Sequence, residues 1–192
     1  MVDIMQLVAV PPVLLGKPAR PGEDRPASPS QGLPGYPQSA FIQHAHAFWL
    51  QHCDGAEMPS WASIDGPAFD PLRSQSILFE LVREPLDFRY AGIGSRMQDI
   101  SNGDYTGRLL SELPHQRPPS KVWDHLSGAF DARAPVKGVL PYVGRSRDIG
   151  AVFHIVMPLA DDGRTVDRLL TCVDLTPAIR LADGTHPFSQ LG

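Results

Sequence analysis

The chain has 192 residues, 42% apolar and 20% charged, which suits a single globular core that needs no metal or disulfide staple. A formal net charge of −4 argues against a basic nucleic-acid or anionic-membrane surface. With only Cys53 and Cys172 there is no disulfide framework, and no apolar run reaches the roughly 18 residues of a spanning helix, so a soluble cytoplasmic domain is expected.

The twenty prolines are the compositional outlier, and eight of them crowd residues 1–37 together with Ser28, Ser30 and Gly32. Such a stretch cannot sustain a helix and buries little, so it reads as a flexible or polyproline-like leader. Met1 to Leu15 is apolar, but Asp3 opens it, Pro11 and Pro12 cut it, and Lys17 and Arg20 follow the apolar part. A secretory signal has the opposite order, so the leader reads as unprocessed.

Ser39 to Cys53 reads as an amphipathic helix, with Ser39 as its cap and Phe41, Ile42, Ala45, Phe48 and Trp49 in one stripe. Residues 59–74 carry Pro59, Pro67 and Pro71, and they read as an irregular crossing with at most one short helical turn near Ala68. The period then changes to that of strands. Ser76–Arg83 and Phe88–Gly94 form a hairpin about the turn Glu84–Asp87. Ser95 is expected to cap a short helix to Ile100, and a helical turn follows from Leu109 to Leu113.

Pro118–Pro119–Ser120 opens a longer helix to about Ala132, with Val122, Trp123, Leu126, Ala129 and Phe130 on its apolar face. Three strands follow, Val136–Gly144, Ala151–Leu159 and Val166–Leu175, and a short helix near Pro177 ends the pattern. Residues 151–159 are apolar on both faces, which requires a sheet covered on both sides. The order predicts an α+β fold with a five-stranded antiparallel sheet and helices between its second and third strands. The organisation is a leader over 1–37, a domain over 38–177 and a tail over 178–192.

Two runs then bear on family. Phe88-Arg-Tyr-Ala-Gly-Ile-Gly-Ser-Arg-Met-Gln-Asp-Ile is followed by Gly103-Asp-Tyr-Thr-Gly107, and the last strand ends in Val173-Asp-Leu-Thr. In this order, with the strand meander, the chain resembles the free-standing bacterial branch of the PAS superfamily. Gly103 and Gly107 match its Gly-x-x-x-Gly element, and Asp174 to Thr176 match its Asp-Ile-Thr ending with Leu175 in place of Ile. The resemblance implies a non-catalytic sensory domain that binds a small molecule or a partner protein, acts in trans, and pairs through its N-terminal helix. No flavin-reactive Asn-Cys-Arg motif is present and no haem ligand is assigned by position, so the cofactor is left open.

Each candidate cluster has a functional and a structural reading. Gly92-Ile-Gly-Ser-Arg96 resembles half a dinucleotide fingerprint, but Met97 stands where the third glycine belongs. Free N–H groups there, with Arg96, would hold a carboxylate or phosphate; otherwise Arg96 pairs with Asp99 or Asp174. His44, His46, His52 and Cys53 crowd one helix, yet His44 and His46 point about 200° apart and no pair has ligand spacing. Asp161-Asp162-Gly163 is a hairpin turn rather than a calcium loop.

His154 on an apolar strand and His125 on the covering helix either face a ligand or are satisfied core residues. Tyr90, Met97, Trp123, Tyr142 and Phe153 either line a pocket or simply fill the core. The expected ligand contacts are Arg96, Trp123, Tyr142 and His154, with Arg96 neutralising an acidic group. The alternative is a small α+β enzyme, dehydratase- or isomerase-like, with His154 as its acid–base residue. The wide stripe on the first helix predicts a homodimer, unless that helix docks on the outer face of its own sheet.

Overall fold

A computed structural model describes residues 39–142 and 151–175. The leader, the end of the Val136–Gly144 strand and the short helix expected near Pro177 lie outside the described residues. The chain forms an α+β fold with a five-stranded antiparallel sheet of order β2-β1-β5-β4-β3. The strands are β1 Ser76–Arg83, β2 Leu86–Ile93, β3 Val136–Pro141, β4 Ala151–Leu159 and β5 Arg168–Asp174. Helices α1 Ala40–Gln51, α2 Trp61–Ile64 and α3 Asp70–Arg73 precede the sheet. Helices α4 Ser95–Ile100 and α5 Lys121–Ala132 lie between β2 and β3.

The pleat sorts the sheet into two faces. His154 pairs with Val173 and Val156 with Thr171, so these residues share a face with Val152 and Leu169. That inner face meets α5, which packs on β3, β4 and β5. Ile155, Met157 and Leu159 point the other way with Leu170 and Cys172, and α1 packs on β4 and β5. A hydrogen bond of 2.5 Å from the Ser39 hydroxyl to Asp174 Oδ2 holds the start of α1 on this outer face. The same hydroxyl accepts from the N–H of Ile42 at 3.0 Å, so Ser39 caps the helix as its sequence requires. At the other end of α1, Trp49 Nε1 donates to the Pro158 carbonyl at 2.8 Å.

Four elements differ from expectation. Residues 59–74 hold two helical turns and a 3₁₀ turn over Pro67–Phe69 where at most one turn was expected. The reason is local. The Ser60 hydroxyl caps α2 by accepting from the N–H of Ser63 at 3.1 Å, and Pro67 and Pro71 fall in first turns, where a missing N–H costs nothing. Strand β2 begins at Leu86 rather than Phe88, because Arg83 already pairs with Leu86 across a two-residue turn. The cap of α4 is Gly94, without a side-chain bond, and Ser95 is its first residue. Strand β5 starts at Arg168, two residues after the expected Val166.

The homodimer expected from the α1 stripe loses that support. Ile42, Ala45, Phe48 and Trp49 are buried within their own chain, against the outer face. Leu50, 54% exposed, is the one large apolar side chain left exposed among the described residues. The stripe therefore needs no second copy to cover it. No helix among the described residues is long and apolar enough to cross a membrane.

Large-to-small changes at buried aromatics cost about 3–5 kcal/mol each. The double variant F48S/W49S is thus expected to lose its cooperative thermal transition by circular dichroism. A well-folded double variant of lower oligomeric mass would return the stripe to a dimer interface.

A candidate ligand cavity and a buried histidine pair

A cavity of about 140 Å³ lies between the inner face and α4. Its floor is Ile77, Tyr90, Ile93, Val152 and Val173, and Met97 and Ile100 of α4 form a wall. Tyr90 and Ile93 are three residues apart, so a regular pleat would send them to opposite faces. A bulge resolves this. Leu78 pairs with Gly92 and Phe79 with Tyr90, which leaves Ala91 as the extra residue and turns both Tyr90 and Ile93 inward.

Backbone contacts fix the wall. The Gly94 N–H donates to Ser76 O at 2.8 Å, and the Arg96 N–H donates to Ser74 O at 3.0 Å. A Cβ at Gly94 would lie 2.2 Å from Arg73 O, so only glycine allows this approach. Tyr142 closes one side and donates to the Ile100 carbonyl at 2.7 Å, joining the end of β3 to the end of α4. Ser101, Asn102, Tyr105, Gln116 and Leu175 complete the lining. The segment after Gly103 is held on the free edge of β2, where the Gly107 N–H donates to Tyr90 O at 2.8 Å and the Tyr90 N–H to Arg108 O at 3.0 Å.

The cavity's polar equipment is neutral. The Tyr90 hydroxyl donates to Gln116 Oε1, and its ring lies 5.7 Å from that of Tyr105. Burial pushes the Tyr90 phenol well above its ordinary pKa, so it stays protonated. Among the described lining residues there is no Asp, Glu, Lys, Arg or His.

Next to the cavity floor, on the same face, sits a histidine pair. His125 Nδ1 and His154 Nε2 are 2.8 Å apart, and the rings stack at 4.7 Å between centroids with 21° between planes. His154 is 1% exposed. Burial lowers its pKa to about 3, and the neighbouring His125 adds to the effect. Burial also lowers His125, helped by Lys121 and opposed by Asp124. Both rings are therefore neutral near pH 7 and share one N–H between two nitrogens. Gly138 of β3, opposite His154 in the ladder, makes the room. A Cβ there would lie 2.6 Å from His125 Cε1 and 3.1 Å from His154 Cε1.

The four side chains expected in one pocket are dispersed. Tyr142 is on the cavity wall. Trp123 packs edge-on against Phe88, with ring centroids 5.2 Å apart. Arg96 is exposed on α4, and the helix-start N–H proposed for an anion is taken by Ser74 O. His154 meets the α5 residue His125 beside the cavity and is not part of its lining. Tyr90 and Met97, weighed in the sequence as either pocket or core, do line the cavity. Sequence reasoning missed Gln116, which reads only as a link between Pro114 and Pro118.

The other clusters follow their structural readings. His52 Nδ1 lies 2.7 Å from Phe48 O, and His46 Nδ1 lies 3.2 Å from Lys137 Nζ. No group of three potential metal ligands occurs among the described residues. Asp162 Oδ1 accepts from the N–H groups of Arg164 and Thr165 at 2.8 and 2.6 Å, a turn and not a calcium loop. Burial pushes the Cys172 thiol up to about 12, which leaves it unreactive. The sequence matches no protein-family model and none of the curated proteins with which it was compared.

Two outcomes follow from the histidine pair. Unfolded His154 takes its proton near pH 6.5 and the folded residue only near 3, so stability falls as pH drops through that window. The loss is about 1.4 kcal/mol per pH unit. Urea unfolding should thus show a pH 7-to-5 difference about 2 kcal/mol larger in the wild type than in His154→Leu. Gly138→Ala should push His125 out of the pair, so its imidazole pKa, followed by NMR, returns towards the ordinary histidine range. An unmoved His125 titration would show that the notch at Gly138 does not hold the pair together.

Proposed function

We propose that residues 38–177 act as a PAS-like sensory domain that holds a small molecule between the sheet and α4 and passes its occupancy to a signalling partner. The cavity under α4 is the observation that carries this reading. It is lined from the sheet, α4 and the segments that follow, so an occupant would touch the sheet and α4 together. Further support comes from the strand order 2-1-5-4-3 and from the run of helices between β2 and β3. The signature-like Asp174 also supports it, because its carboxylate bonds Ser39 at the start of α1.

Binding that favours one packing of α4 over another would change the surface offered to a partner. Enzymatic acid–base chemistry is the weaker reading, since it would rest on His154, which is buried against His125 beside the cavity rather than in it.

The test uses the full chain isolated without refolding, with its small-molecule content extracted and analysed by mass spectrometry. Wild-type protein should carry a compound in stoichiometric amount, and Met97→Trp, which fills the cavity from the half-buried α4 wall, should not. A wild-type extract without any compound, together with no thermal shift across a small-molecule panel, would overturn the reading.

A further inference from the structure

The chemistry of the cavity narrows its occupant, an inference that rests on the cavity being a ligand site. A charged ligand group held against this lining would give up part of its water with no counter-ion among the described lining residues, which is costly against an apolar surface. Ile77, Ile93, Val152, Val173 and Met97 offer aliphatic and thioether contact on the floor and wall.

One hydrogen-bonded polar pair, Tyr90 and Gln116, stands against this surface, besides Ser101 and Asn102. Because Gln116 Oε1 accepts from Tyr90, the Gln116 amide N–H groups are left to donate, and the Tyr90 oxygen keeps a lone pair to accept. Tyr90 and Tyr105 also present rings 5.7 Å apart, and Tyr142 supplies a third. Ring edges and faces of this kind favour an aromatic neighbour, and so does a methionine sulfur. Size sets the last limit. The volume of about 140 Å³ is close to the roughly 150 Å³ of an apolar cavity that takes up benzene.

We propose that the cavity binds an uncharged single-ring aromatic molecule whose one polar substituent, a hydroxyl or carbonyl, sits against Gln116 and Tyr90. Such a group can accept from the Gln116 amide, and a hydroxyl can also donate to Tyr90 Oη. A carboxylate of the same shape would bring a charge into a site that has none to offer.

The experiment is titration calorimetry of the full, exhaustively dialysed chain with phenol, toluene and benzoate. Phenol should bind about tenfold more tightly than toluene, the worth of one hydrogen bond, and benzoate at least about a hundredfold more weakly than phenol. In Gln116→Leu the phenol-to-toluene ratio should fall to near one while toluene affinity stays within about twofold.

Benzoate binding as tightly as phenol, or a ratio unmoved by Gln116→Leu, would overturn the ligand class. Should none of the three bind while the wild-type extract still holds a compound that Met97→Trp loses, the ring class fails and the site stands. Absence of both probe binding and extracted compound removes the site as well.

Discussion

The structure depends on β4. Ala151–Leu159 carries apolar side chains to both faces of the sheet, and no residue from Ala151 to Leu159 is exposed. A strand of this kind in an antiparallel sheet is stable only if both faces are covered, and burying each large aliphatic side chain is worth about 1.5–3 kcal/mol. The chain provides two covers from opposite sides of its sequence, α1 before the sheet and α5 within it. Each then needs its own anchor. Ser39, Asp174 and Trp49 provide it for α1, and the stacked pair His125–His154 provides it for α5.

The two faces are used differently. On the outer face Phe48 and Phe69 pack at 5.9 Å between ring centroids, and Leu72, Ile64 and Met58 are fully buried. The inner face is packed under α5, where Leu126 and Ala129 are buried, but under α4 it opens into the cavity. Helix α4 has six residues and none of them is buried. It is held by backbone contacts at its first turn and by Tyr142 at its last, not by an apolar face pressed into the sheet. The wall is thus fastened at its ends, apart from the packed part of the core under α5.

Much of the fold was legible because it obeys simple periods. The strand alternation in Ser76–Arg83, the stripes of α1 and α5, and the caps Ser39 and Ser120 are local properties, and each element stands near its expected place. The α1 stripe was read correctly as needing burial, but sequence alone does not say which surface buries it, and its own sheet does. The site was far less legible. Tyr90 and Ile93 share a face only because Ala91 bulges, and nothing in Arg-Tyr-Ala-Gly-Ile marks the bulge. Gln116 reaches the cavity from a proline-flanked link with no period at all. The run Gly-Ile-Gly-Ser-Arg offers by sequence either free N–H groups and Arg96 to an anion or a structural arginine, whereas Gly94 is small so that Arg73 and Ser74 can bring their carbonyls close. His125 and His154 are 29 residues apart, and only the register that sets Gly138 opposite His154 brings them together.

Charge is distributed by the same logic. The ion pairs among the described residues, such as Arg73–Asp65 and Arg108–Glu112, lie at the surface, where each is worth little. The buried carboxylates are spent on fixing segments at the margins of the sheet. Asp87 accepts from the N–H groups of Phe88 and Ser111, and Asp174 accepts from Ser39. Among the described residues, the buried polar groups of the inner face are neutral: His154 with its partner His125, both held below their ordinary pKa, the Tyr90 phenol held above its own, and the Thr171 hydroxyl. The cavity bordered in this way offers no counter-ion among its described lining residues. The histidine pair is thus better understood as a neutral polar joint between α5 and the sheet than as an acid–base centre. The same desolvation that lowers both imidazoles keeps the pair from carrying a proton near pH 7.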